Sequence, residues 1–266
     1  MFGAWTNDID SLHNAFKNAK PFEYVQIDGF LSKIVANALH AEFPDPLSEN
    51  VDWKHYDNPL EQKYALNDFS GLVQSKCVFD ALQSPSMVNM MRTITGIDNL
   101  ECDPHLHGAG LHAYPHNGKL DVHLDYSIHP VSGKERRVNL IVYLNKDWCD
   151  DYGGHLQLWN ADMSECKSII TPSFNSAVLF RTSDISYHGL PEPLRCPLGT
   201  YRKSLAIYYI SPARPSAPLR LKAEFFPLPS QHVDDRLRRL YDIRKHRLIT
   251  PGDLWPTWRE DGNGHW

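Results

Sequence analysis

The spacing of apolar positions changes part-way along this chain. Up to about residue 100 they recur at three- and four-residue steps, as on one face of a helix. Leu12, Ala15, Phe16 and Ala19 share such a face in a helix predicted over Ser11–Lys20. Pro21 stops it, and Phe22–Ile27 reads as a strand. Ser32 is a candidate N-cap for a second helix carrying Ile34, Val35, Ala38, Leu39 and Phe43, halted by Pro44. Asp45–Leu72 is polar, aromatic and poorly periodic, which predicts a long loop or mixed segment folded over the core. Ser84–Thr95 predicts another helix, with Pro85 in its first turn and Gly96 ending it.

From His105 onward the runs shorten and become strand-like. Val138–Leu144 is an almost unbroken apolar run, as expected of a strand inside a sheet. Gly153-Gly154 leads into His155–Trp159, which alternates with period two. Ser168–Thr171, Ala177–Phe180 and Ser204–Ile210 predict further strands, punctuated by Pro, Asn, Gly and Ser. Beyond Pro212 the chain is Pro-rich as far as Pro229. One charged helix over Val233–Leu248 follows, then a tail bearing Trp255, Trp258 and Trp266. Short strands with regular turns indicate a sandwich or barrel. The expected fold is α+β, mainly β: a double-stranded β-helix of jelly-roll or cupin-like type with N-terminal supporting helices and a C-terminal helix. We expect a single domain over 1–266: helical support and a candidate lid in 1–104, the catalytic core in 105–212 and an extension in 213–266.

Composition narrows the function classes. No run approaches the roughly 18 apolar residues of a membrane span, and the net charge of −5 gives no basic face for nucleic acid. The first residues show neither a basic nor an apolar signal region. The five cysteines are scattered without a C-x-x-C pair, against a disulfide framework or structural zinc site. Reduced thiols in a cytoplasmic protein are the expectation.

Candidate chemistry gathers at the centre. His105, His107, His112, His116, His123 and His129 lie within 25 residues, and His123-Leu124-Asp125 stands out among them. Side chains two apart on a strand project together. An imidazole beside a carboxylate supplies two-thirds of the 2-His-1-carboxylate triad that holds Fe(II) with open coordination positions. His188, in Ser186-Tyr187-His188-Gly189, is the candidate third ligand. His105-Leu106-His107 is a competing cupin-type pair, though no glutamate follows closely; His112, His116 and His129 stay unassigned. Ser/His/Asp hydrolysis would use the same residue types, but no G-x-S-x-G elbow is present. An Fe(II) oxygenase that uses 2-oxoglutarate needs a cation for the distal carboxylate, and the planar fork of arginine meets a carboxylate with two parallel bonds. Arg202 opens the strand after His188, with Ser204 facing the same way and Lys203 the other.

Ala113-Tyr114-Pro115, His123-Leu124-Asp125, Tyr143-Leu144-Asn145-Lys146-Asp147-Trp148, Gly153-Gly154, Leu179-Phe180, His188 and Arg202 together resemble the prolyl 4-hydroxylase-like branch of the Fe(II)/2-oxoglutarate-dependent dioxygenases. The resemblance spans about Leu111 to Ile210. It implies Fe(II), 2-oxoglutarate and O2 as cofactors, with ascorbate as a candidate reductant, and release of succinate and CO2. It also implies a 2-oxoglutarate contact for Tyr143 and a related one for Tyr114. Related halogenases carry Gly or Ala where this chain has Asp125, so hydroxylation is favoured over halogenation. Between His188 and Arg202, Pro191–Gly199 inserts a loop that the oxygen-sensing members lack.

The expected activity is hydroxylation of an unactivated C–H bond in a small molecule (an amino acid, nucleotide or other metabolite) or in a peptidyl residue such as proline. A non-catalytic metal-binding sensor and a cupin-type metal enzyme are the alternatives. Mixed charges on the 233–248 helix read as a solvated face, or as a dock for a phosphate or carboxylate. Lys134-Glu135-Arg136-Arg137 offers cations to the same mouth, and Trp53, Tyr56 and Tyr64 read either as a lid or as core packing.

Overall fold

The computed structural model describes residues 1–258, and Trp266 of the expected aromatic tail lies outside them. The N-terminal third supplies α1 (Ile9–Asn18), β1 (Tyr24–Ile27), α2 (Lys33–Glu42), β2 (Lys54–Asn58), β3 (Glu61–Leu66), α3 (Val73–Leu82), α4 (Pro85–Thr95) and β4 (Glu101–Cys102). The core follows with β5 (Gly110–Tyr114), β6 (Lys119–Leu124), β7 (Glu135–Tyr143), β8 (Leu156–Trp159), β9 (Cys166–Ile170), β10 (Ala177–Arg181), β11 (His188–Leu190) and β12 (Arg202–Ser211). Then come β13 (Glu224–Phe225) and α5 (Asp235–His246). No helix among the described residues is long and apolar enough to cross a membrane, and all five cysteines are free.

The helix signals expected at Ser32, Pro85 and Gly96 mark the ends of α2 and α4. Ser32 accepts from the Val35 amide at the start of α2, Ser84 caps α4 ahead of Pro85, and Gly96 closes α4 in the left-handed conformation. Asp234 caps α5 through the Leu237 amide at 2.8 Å. Ile34, assigned to the apolar face of α2, is instead solvent-exposed; Ala36 and Leu39 are the residues α2 buries.

The strands form one strongly curled antiparallel sheet in the order β1-β10-β7-β12-β5-β3-β6-β11-β8-β9, with β13 beside β6, β2 beside β3 and β4 beside β12. Alternation sorts the side chains of its central strands. Val138, Leu140 and Val142 of β7, Leu205, Ile207 and Tyr209 of β12, and Leu111 and Ala113 of β5 pack in the main core with the α1–α4 residues Phe16, Leu39, Phe79 and Met91. The intervening residues, among them Asn139, Ile141, Arg202, Ser204, Tyr208 and His112, line a cavity on the opposite face. The sheet is therefore apolar towards the helices and polar towards its own interior. On the far side Leu237, Leu240 and Tyr241 of α5 pack on Leu60 and Phe225.

Of the two readings of Asp45–Leu72, the mixed segment holds rather than the long loop. It contains the β2–β3 hairpin, and β3 lies between β5 and β6 in the sheet. The Asn58 side chain accepts from the Leu60 and Glu61 amides at 3.0 and 3.2 Å, fixing the turn. Trp53 and Tyr64 are core packing rather than a lid: Trp53 is buried against Phe43, and the Tyr64 ring stacks on His55 at 4.4 Å. Tyr56 alone of the three lines the cavity.

Candidate active site

His123 lies on β6 and pairs directly with His188 on its antiparallel neighbour β11. That register turns two imidazoles 65 residues apart in sequence into cross-strand neighbours, with ring centroids 4.4 Å apart. Gly189 allows the approach, since a Cβ there would lie 2.8–2.9 Å from the backbone of Leu120, Asp121 and Val122. Asp125 follows β6 directly, and its backbone carbonyl accepts from Arg220 Nε at 2.6 Å. One donor atom from each of His123, Asp125 and His188 lies within 4.8 Å of the others, and all three residues are buried.

The ring orientations are set from behind. His123 Nδ1 is 2.9 Å from the Asp121 carbonyl and His188 Nδ1 is 2.8 Å from the Ser186 carbonyl. A carbonyl only accepts, so these contacts place the proton on Nδ1 and leave each Nε2 lone pair facing Asp125. The Nε2 atoms stand 3.7 and 3.8 Å from the carboxylate oxygens, beyond a normal hydrogen bond. Burial, followed by the neighbouring His123, holds the His188 pKa down to about 4, although Asp125 opposes this. Burial would raise the pKa of Asp125, but Arg136 and then His188 and His123 outweigh it and keep the carboxylate ionised. Arg136 Nη1 lies 2.8 Å from Asp125 Oδ1, and Asn139 Nδ2 donates to Oδ2 at 3.3 Å.

Across the same cavity, β12 presents Arg202 and Ser204. Arg202 is paired in register with Tyr114 of β5, and Ser204 with Tyr143 of β7. The Arg202 guanidinium sits 5.3 Å from the Tyr114 ring and 5.0 Å from the Tyr143 ring. Its Nε donates to the Gly154 carbonyl at 2.7 Å. Gly154 is required there: its φ is +76°, and a Cβ would meet Arg202 Cδ at 2.8 Å. The Tyr143 hydroxyl is buried without a hydrogen-bond partner among the described residues, and burial pushes its pKa up to about 12.

Residues 109–210 match the family model of the 2OG-Fe(II) oxygenase superfamily. The match covers the β5–β12 core and identifies a 2OG-Fe(II) oxygenase domain there. Among solved structures, a prolyl hydroxylase from Trichoplax adhaerens in complex with a hypoxia inducible factor peptide is 17% identical, with a TM-score of 0.58 over 79% of this chain and 94% of that one. A Pseudomonas putida prolyl-4-hydroxylase is also 17% identical, with a TM-score of 0.57 over 77% of this chain and 100% of that one. A prolyl 4-hydroxylase structure from Phytophthora capsici is 22% identical, with a TM-score of 0.53 over 92% and 78%. These likenesses establish the double-stranded β-helix fold, and with the family match they bear out the prolyl 4-hydroxylase-like resemblance. No curated protein matches the chain.

The donor set of this oxygenase fits the superfamily's metal. Two imidazoles and one carboxylate, with no fourth His, Cys or carboxylate in the cluster among the described residues, are the open-sided set suited to Fe(II) rather than a closed structural zinc site. The cosubstrate also fits: a buried guanidinium beside a buried hydroxyl with an unmade hydrogen bond suits a carboxylate. The structure thus brings together His123, Asp125 and His188, and places Arg202, Ser204 and Tyr114 around the same cavity, with the Tyr143 ring 5.0 Å from the Arg202 guanidinium.

Other expectations need correction. His105-Leu106-His107 is a turn, with Leu106 at φ +46°, so its imidazoles are not a strand pair. His116 Nδ1 contacts the Cys196 carbonyl and His129 Nδ1 accepts from the Val131 and Ser132 amides, both structural roles. The four residues from Lys134 do not act as one cationic mouth. Lys134 pairs with Glu101 and Arg137 bonds Ser211, whereas Arg136 turns inward to Asp125. Asn139 was the missed neighbour of the metal site, and Arg136, read only as a cation near its mouth, is the partner of Asp125. A polar Asn inside the apolar run Val138–Leu144 was the available signal, because its alternation phase is shared with Tyr143.

Proposed function

We propose that this oxygenase hydroxylates an unactivated C–H bond of a small organic molecule or a peptidyl residue, with His123, Asp125 and His188 holding Fe(II). Arg202, Ser204 and Tyr143 hold 2-oxoglutarate, with Tyr114 flanking the guanidinium. The observation that carries this reading is the convergence of the three donor atoms on the cavity that Arg202 also lines. Bound Fe(II) and 2-oxoglutarate supply oxidative chemistry that consumes O2, releases succinate and CO2, and delivers an oxygen atom to the substrate.

The chain's own residues do the positioning. Asp121 and Ser186, through their carbonyls, keep Nδ1 protonated and each Nε2 aimed into the cavity. Arg136 and Asn139 keep Asp125 ionised and fix its orientation. The Arg202 fork anchors an acid at the inner end of the cavity, while Phe180 and Phe225 pack on the His188 and His123 rings and restrict water.

Succinate formed from 2-oxoglutarate on admitting air to the Fe(II)-loaded protein tests the reading. We expect Asp125→Ala and His188→Ala to lower the rate by at least a hundredfold while the fold persists. Full turnover in either variant would exclude this ligand set.

A further inference from the structure

One lobe of the cavity is not accounted for by the iron ligands or the 2-oxoglutarate anchor. The cavity, of about 320 Å3, is lined by six cationic side chains, Lys54, Lys63, Arg136, Arg202, Lys222 and Arg244, against only two carboxylates. That is the reverse of the chain as a whole, whose net charge is −5. Arg136 is committed to Asp125. With Arg202 assigned to the cosubstrate, three lysines and Arg244 remain to share Glu61.

Arg244 projects from the last turn of α5 and is only 6% exposed. Its Nε donates to Glu61 Oε1 at 2.9 Å, but its Nη1 is buried and has no hydrogen-bond partner among the described residues. A charged donor left unmade inside the protein is costly, so the atom favours an acceptor brought by a ligand. Glu61 is shared besides with Lys63 Nζ at 3.6 Å. Lys54 and Lys63 flank the Tyr56 ring at 4.8 and 5.1 Å. One buried carboxylate therefore serves both a guanidinium and an ammonium group, while Lys54 and Lys222 line the same cavity, an excess of positive charge that concentrates anions.

We propose that the substrate is a small organic anion whose carboxylate or phosphate group is bound by Arg244, assisted by Lys63, Lys54 and Lys222. This rests on the oxygenase reading above and adds the substrate class to it. The distance is set by one ring. Phe225 lies 5.0 Å from the Arg244 guanidinium and 5.1 Å from the His123 ring, so the anion-binding group is at most about 10 Å from a metal-site imidazole. A molecule of metabolite size spans that gap, and the cavity volume is at the small end for ligand sites. Two cationic anchors lining one cavity then sort two acids: Arg202 takes 2-oxoglutarate and Arg244 takes the substrate.

The test is thermal melting of the metal-free full-length protein titrated with inorganic phosphate and, separately, with propionate. Wild type and Arg202→Gln should both be stabilised by at least one of the two. A Glu61→Gln/Arg244→Gln double variant, which removes the guanidinium while leaving the net charge of the cavity lining unchanged, should need at least tenfold more anion for half the effect. Lys222→Gln, at a partly exposed position, should weaken the response in the same direction and serves if the double variant does not fold. A response to phosphate alone assigns a phosphoester substrate, and one to propionate alone a carboxylic acid. The proposal is overturned if the double variant and Lys222→Gln respond as wild type does, or if Arg202→Gln alone abolishes the response. It is also overturned if only an acidic peptide stabilises the protein. A separate measurement guards the parent reading: anaerobic Fe(II) protein should develop a visible absorption band with 2-oxoglutarate in the wild type and the double variant alike. No band in the wild type would sink the oxygenase reading itself, whatever the melting data show.

Discussion

Replacing Arg136 by leucine isolates the interaction that orients the metal-binding carboxylate. Arg136 is 3% exposed, its Nη1 is 2.8 Å from Asp125 Oδ1, and its guanidinium lies against the Tyr126 and Tyr208 rings at 3.9 and 3.1 Å. Arg136→Leu leaves Asp125 buried with only the Asn139 amide at 3.3 Å. Breaking one side of a buried pair costs about 3–5 kcal/mol. For a chain of this size each kcal/mol moves Tm by roughly 2–4 °C, so the metal-free variant should melt roughly 6–20 °C lower. The sign with pH follows from the depressed pKa of Asp125. The pairing stabilises fully above the unfolded carboxyl value near pH 4, and that stability is lost as the pH falls through the lower folded value. In the variant burial acts unopposed by Arg136, so Asp125 protonates at a higher pH and the gap between the two proteins narrows in acid. Calorimetry or circular dichroism at pH 7 and pH 4, with and without Zn(II), measures this. Zn(II) should recover more stability in the variant, where it becomes the main counter-charge. A metal-free drop under about 2 °C, or a gap unchanged by pH and metal, would refute the reasoning.

Other outcomes follow from neighbouring contacts. Gly154→Ala forces a Cβ into Arg202 and Leu194 at a backbone φ of +76°; it should lose about 1–3 kcal/mol in stability and raise the KM for 2-oxoglutarate more than it lowers kcat. Arg202→Lys, which replaces a fork by a point charge, should weaken 2-oxoglutarate binding at least tenfold by titration, and Tyr143→Phe by a few-fold. His112 is held near pKa 3, by burial first and then by Lys63 and Arg202. The unfolded chain therefore takes up this proton first as the pH drops below about 6.5, and stability falls by up to about 1.4 kcal/mol per pH unit. His112→Leu should remove that share of the slope in urea titrations between pH 6 and 4.

Local signals were legible where the partner of each group is near in sequence. The Ser32 cap, Pro85 and Gly96 bound their own helices, and the strand-like runs of β7, β8 and β12 lie where the pattern puts them. Helix α3 escaped notice because its cap is remote. Its Gln74 and Ser75 amides donate to Glu42 of α2, each at 2.7 Å, and Leu72 at its start offers no capping side chain. Strand β3 escaped because its cavity face carries Glu61 and Lys63, so the usual apolar-inside alternation is inverted.

The chemistry of this oxygenase was written into residue types and short spacings: the H-x-D pair, a later imidazole, and an arginine with a serine two positions on. Those features survive in the linear chain because strand geometry alone decides which of them project together. Folding decided which cations are neutralised and which face a ligand. Charge pairing depends on distance in space, and the partners here are far apart in sequence: Asp125 meets Arg136 around a turn, and Glu61 meets Arg244 across 183 residues. No pattern along the chain carries that information, since a buried ion pair and a solvated surface charge have the same side chains until packing removes the water between them.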